Sequence, residues 1–85
     1  MNIERLSPVS RELLRQALPG GQLVNVLYRD GSRVEIGFER ERRCFALGEH
    51  GWLSFLGWDG RPGEDADSSS RWELTLAAQT LLAKG

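Results

Sequence analysis

Leu23-Val24-Asn25-Val26-Leu27-Tyr28-Arg29-Asp30-Gly31-Ser32-Arg33-Val34-Glu35-Ile36-Gly37-Phe38 is the stretch on which the reading of this chain turns. Two β-rich runs, Leu23–Tyr28 and Arg33–Phe38, flank Arg29-Asp30-Gly31-Ser32. An Asp-Gly pair between alternating apolar residues predicts a β-hairpin. Two registers compete. A two-residue turn at Asp30-Gly31 pairs Leu27 with Val34 and sets Asn25 beside Ile36. A three-residue turn, with Gly31 left-handed in a bulge, aligns Val24, Val26 and Tyr28 with Val34, Ile36 and Phe38. A one-residue slip moves every side chain to the other face of the sheet. The second register is preferred because it keeps Asn25 off the core face.

Working outward, Glu39–Arg42 reads as a charged reversal and Arg43–Leu47 as a third strand. Gly48-Glu49-His50-Gly51 is a turn, and Trp52–Trp58 is a fourth strand with large apolar residues in both phases. Residues 59–70 follow as a flexible polar loop, rich in Gly, Pro, Ser and acids. Upstream, Ser7–Leu18 is a helix. Ser7 is its N-cap, Pro8 sits at the first helical position, and Val9, Leu13, Leu14, Ala17 and Leu18 share a face. Downstream, Ser70-Arg71-Trp72-Glu73 has the form of a capping box. It predicts a second helix over Arg71–Lys84, against a rival fifth strand over Arg71–Leu76. The expectation is one α+β domain over residues 1–85, a four-stranded antiparallel meander with an N-terminal and a C-terminal helix, in the order α-β-β-β-β-α.

Composition narrows the function classes. A chain of 85 residues suits one domain and leaves little volume for a deep pocket. With 11 basic and 12 acidic residues the net charge is −1, a balance that argues against nucleic acid or an anionic membrane as partner. Cys44 is the single cysteine, so no intrachain disulfide or cysteine-rich zinc site can form. No apolar leader opens the sequence. The uncharged apolar stretches Gly51–Trp58 and Leu74–Ala83 are too short to span a bilayer. A cytoplasmic protein is expected. Lys84 is the only lysine beside ten arginines, a bias toward GC-rich codons that points to a bacterium or its phage.

No residue set reads as catalytic, cofactor-binding or metal-binding. Cys44 and His50 form a thiol–imidazole pair only on paper, one on a strand and one in a turn. Asp59, Glu64, Asp65 and Asp67 are acidic loop residues without the rest of a calcium-loop pattern. Glu35 and Glu39 lie in phase on one strand as solvated residues, and Gly60-Arg61-Pro62-Gly63 is a turn, not a phosphate cradle. The aromatic strand carries the functional expectation. Trp52, Leu56 and Trp58, with Trp72, are candidates for a partner-binding surface, because tryptophan is enriched at interface hot spots. This points to a non-enzymatic protein-binding module, an inhibitor, adaptor or regulator of a larger protein, with a homodimer equally compatible. The alternative is a nucleic-acid-binding module using Arg40, Arg42 and Arg43. Against it, Glu39 and Glu41 interleave those arginines, and the meander holds Arg29 and Arg33 at its other end.

Overall fold

The computed structural model describes residues 2–18, 20–61 and 66–84. It is α+β, with three helices and a three-stranded antiparallel sheet. A short 3-10 turn over Ile3–Arg5 precedes α1 (Pro8–Ala17). Then come β1 (Gln22–Leu27), α2 (Val34–Glu49), β2 (Leu53–Asp59), β3 (Ser68–Leu74) and α3 (Leu76–Lys84).

The sheet order is β1-β3-β2. β3 is antiparallel to both neighbours. β1 and β2 therefore run parallel, linked across β3 by α2, as parallel strands require a long crossover. Leu23, Asn25 and Leu27 of β1 oppose Trp72, Ser70 and Ser68 of β3, and Leu53 of β2 opposes Leu74. All these side chains are buried. They form one face of the sheet, and the core closes on it with Leu13, Leu14 and Ala17 of α1, Cys44 and Leu47 of α2, and Ala78 and Leu82 of α3. The other face carries exposed Gln22, Val24, Arg71 and Glu73.

The four-stranded meander is thus replaced. Val34–Glu49, expected to hold the hairpin's second strand, a reversal and a third strand, is one helix. Glu, Arg, Ala and Leu are good helix formers, and Phe38–Leu47 contains no Gly, Pro, Asn, Asp or Ser to make a reversal. Arg29–Ser32 is the loop into that helix, where Gly31 takes a φ of 99°. The expected helix over 71–84 is also corrected, since its first part is β3 and the rival strand reading lies closer. Ser70 does not cap a helix, because its hydroxyl is committed elsewhere in the core. Thr75 does so instead, its Oγ1 accepting from the Ala78 N–H (3.1 Å) and donating to the Gly51 carbonyl (2.7 Å). α1 starts where Ser7 and Pro8 place it, with the Ser7 hydroxyl accepting from the Ser10 N–H at 3.2 Å. Of the expected loop over 59–70, Asp59 ends β2, Ser68–Ser70 open β3, and residues 62–65 lie outside the described residues.

α2 sits very close to the sheet. Gly37, Glu41, Cys44 and Gly48 fall on its underside. A Cβ on Gly37 would lie 2.6 Å from the Val26 carbonyl oxygen, so only glycine permits this approach. Asn25, expected off the core face, lies in this seam because it finds acceptors there. Its Nδ2 donates to the Gly37 carbonyl and to Glu41 Oε1, both at 3.0 Å. Ser70 Oγ donates to the same Glu41 oxygen and accepts from Trp72 Nε1 at 2.9 Å. Buried polar groups need such partners, because each one left unmade costs about 1–3 kcal/mol.

Candidate functional site

A cluster of exposed aromatic rings lies where α2 passes β2. A bulge between Phe55 and Gly57 inserts Leu56 into β2 and shifts its register against β3. Phe55 then opposes Trp72, and Trp58 opposes Ser70, so both rings fall on the helix-covered face. Strict alternation would have separated them. The Phe55 and Trp58 rings meet edge-on at 5.7 Å, and Phe45 of α2 lies 6.1 Å from Phe55. Trp72 touches both phenylalanines with centroids at 5.0 Å. Trp72 is a buried base, whereas Phe45, Phe55, Leu56 and Trp58 are 47%, 42%, 40% and 37% exposed. Beside them a depression of about 380 Å³ is lined by Phe45, Gly48, Leu53, Phe55 and Trp72.

The structure separates the four residues expected to bind a partner. Leu56 and Trp58 lie at the surface on β2. Trp52 and Trp72 are buried in the core. Trp52 just precedes β2, its N–H donating to the Leu47 carbonyl at 2.9 Å and its carbonyl accepting from Thr75 at 3.2 Å, so its ring closes the end of the core. Phe45 and Phe55 join the exposed cluster with little signal in the sequence: the strand expected over Arg43–Leu47 hides Phe45, and the bulge that brings Phe55 and Trp58 together leaves only one extra residue as a trace.

The chemical candidates come apart. Cys44 faces the sheet from α2, and burial, then the Glu41 charge, push its thiol up to about 12. A nucleophilic thiol needs the opposite shift. His50 is exposed at the C-terminal cap of α2. Asp59 pairs with Arg71 at 3.3 Å, and Asp67 accepts from the Arg29 N–H at 3.0 Å. Glu64 and Asp65 lie outside the described residues. Among the described residues no three potential metal ligands lie together, and no helix is long and apolar enough to cross a membrane.

The arginines do not form a stripe. Arg40 turns to Gln16 Oε1 (3.4 Å) on α1. Arg43 donates to Ser7 Oγ (3.4 Å) and Ser10 Oγ (3.2 Å), and Arg42 lines a cleft beside it. Arg33 lies over the Tyr28 ring at 5.7 Å, near the other end of α2.

No known protein family, curated protein or solved structure matches this chain.

Proposed function

We propose that this chain is a small non-enzymatic protein-binding module that acts on a larger protein as an inhibitor, adaptor or regulator. It docks through Phe45, Phe55, Leu56 and Trp58. One observation carries the reading: Phe55 joins Phe45 of α2 to Trp58 in a chain of ring contacts that stands half out of the fold, and Leu56 is exposed on the same strand, which lies at the sheet edge among the described residues. Aromatic clusters of this kind desolvate well against a partner and dominate binding energy. Contiguous exposed apolar patches on small domains mark interaction sites. The buried thiol of Cys44, distant in environment from His50, supports a non-enzymatic role.

The test compares wild type with the double variant Phe55→Gln/Trp58→Gln in affinity capture from native-host lysate, alongside thermal melting. A protein retained by wild type should be lost by the variant, which should stay folded at the capture temperature although its melting temperature falls by about 8–16 °C. Retention by both proteins would reject this surface. Collapse of the variant, and of each single substitution, would make these core residues and end the proposal.

A further inference from the structure

A second surface, on the opposite flank of α2, has a different chemistry. A cleft of about 510 Å³ opens between the start of α1 and the outer side of α2. Arg5 enters it from the N-terminal turn, Arg42, Arg43 and His50 from the α2 side, and Ser7 and Ser10 from α1. Glu39 is the one carboxylate lining it among the described residues. Among the described residues Arg5, Arg42 and Arg43 have no ion-pair partner. The chain as a whole carries 12 acidic against 11 basic residues, so this local excess is a matter of placement.

The arrangement is electrostatically uncompensated. The first turn of α1 holds no acidic residue, although the positive end of a helix dipole favours one there. Arg43 is instead held at that end by its bonds to the Ser7 and Ser10 hydroxyls. Three arginines line one cleft beside a helix N-terminus of the same sign, at a repulsive cost that an anion would remove. Guanidinium forks match the oxygens of a phosphate and bind them in pairs.

We propose that this cleft binds a small phosphomonoester. Its phosphate sits between Arg5, Arg42 and Arg43. Its organic part lies in the adjoining cleft of about 530 Å³, which shares Arg5, Leu6 and His50 and adds Asn2 and Trp52. Both volumes fall in the range of small-molecule sites. A nucleic-acid backbone would need a run of cations along a path. Here the next arginines diverge, Arg40 toward Gln16 and Arg33 toward Tyr28, and leave one positive spot.

The probes are inorganic phosphate and phenyl phosphate, added to the full chain at constant ionic strength with chloride as the control. Binding is followed by amide shifts of Val9, Ser10 and Arg43. Saturable shifts with a dissociation constant below about 10 mM, not reproduced by chloride, are expected. Phenyl phosphate should bind at least about threefold tighter than phosphate, because its ring has apolar wall to cover. Arg42→Gln, at an exposed residue, should weaken binding about fivefold or more. Glu39→Gln should tighten it about twofold, a gain that a merely structural role would not produce. Absence of saturation by phosphate, or wild-type affinity in Arg42→Gln and Arg5→Gln alike, would overturn the proposal. So would tight binding of a single-stranded oligonucleotide that falls steeply with salt and is not displaced by phenyl phosphate.

Discussion

The seam beneath α2 and the aromatic flank beside it lie within a turn of each other on one helix, yet they are built on opposite principles. The seam is closed. Gly37 and Gly48 let the helix down onto the sheet, and Asn25, Ser70 and Trp72 hydrogen-bond in the gap through Ser70 Oγ and Glu41 Oε1. The flank is open. Phe55 touches both Phe45 and Trp58, but all three leave much of their surface in water. In a domain of 85 residues, the difference separates what holds the fold from what remains available to bind. Substitutions in the seam should unfold the protein, and substitutions on the flank should not.

The largest effect belongs to Gly37. Gly37→Ala places a methyl group 2.6 Å from the Val26 carbonyl oxygen, a backbone atom that cannot turn aside. α2 must lift, and the Asn25 bonds to Gly37 and Glu41 stretch with it. A loss of about 3 kcal/mol is expected, even after the gain in helix propensity. Gly48→Ala is the internal control. Its added carbon would meet the Trp72 ring at 3.2 Å, and a ring can give by a few tenths of an ångström. Propensity there offsets strain, and a change within about 1 kcal/mol is expected. Urea denaturation of the pair measures both, and equal effects would mean that the close approach to β1 is not what positions α2.

This seam is also why the fold was only partly legible. α1 could be read from Ser7 and Pro8, and β1 and β2 from their runs of apolar residues. α2 could not, because its signals are absent or inverted. Its N-cap, Arg33, makes no side-chain capping bond. Its buried positions are Gly37, Glu41, Cys44 and Leu47, so a search for a hydrophobic stripe finds two small residues and a carboxylate. Val34, Ile36 and Phe38 meanwhile alternate as a strand would, although Ile36 and Phe38 end up largely exposed. The available clue was negative: ten residues, Phe38–Leu47, with no turn former where a reversal was required. The candidate site was legible to the same degree. Leu56 and Trp58 stand out by composition. Alternation cannot see that a bulge turns Trp58 beside Phe55, or that Trp72 belongs to a central strand.

Glu41 tests the polar half of the seam. Glu41→Ala removes the acceptor shared by Asn25 and Ser70 and leaves both donors buried, at a cost of about 2–4 kcal/mol. Glu41→Gln keeps one oxygen of the same shape in the same place. It should cost less than half as much, because Oε1 alone accepts both bonds and Oε2 has no partner among the described residues. A double-mutant cycle with Asn25→Ala should show coupling of about 1 kcal/mol or more. Additive losses would mean that the network contributes only packing.

Cys44 gives the seam a pH dependence. Its thiol titrates near 12 in the folded chain against an ordinary value of 9.0, with burial as the main cause and the Glu41 charge next. Well below pH 9 the thiol is protonated in both states and its contribution is complete. Between these values the unfolded chain releases the proton while the folded one keeps it, so stability falls as pH rises. The loss attributable to Cys44 is on the order of 1 kcal/mol at pH 10. Cys44→Ala should flatten that part of the profile, leaving the slope due to other groups. An unchanged slope in the variant would show that the thiol is already accessible to base.

The smallest effect on stability should come from the flank, and there the contrast is sharpest. Trp58→Gln removes a ring that touches Phe55 at 5.7 Å but is already 37% exposed, on a strand with no neighbour beyond it among the described residues. Only the shared ring contact and part of the apolar area are lost, which amounts to about 1 kcal/mol. The neighbouring bulge should persist, because it rests on the pairing of Gly57 with Arg71 and on the φ of 145° at Gly57, neither of which uses the indole. Light scattering of wild type and variant adds a second readout. If the flank joins two copies of this chain, wild type is dimeric and Trp58→Gln monomeric at equal concentration. If the flank serves a different protein, both are monomeric and only the capture of that protein changes. A loss of about 3 kcal/mol or more on Trp58→Gln would remove the distinction between seam and flank, because it would place the edge of the aromatic cluster inside the folding core.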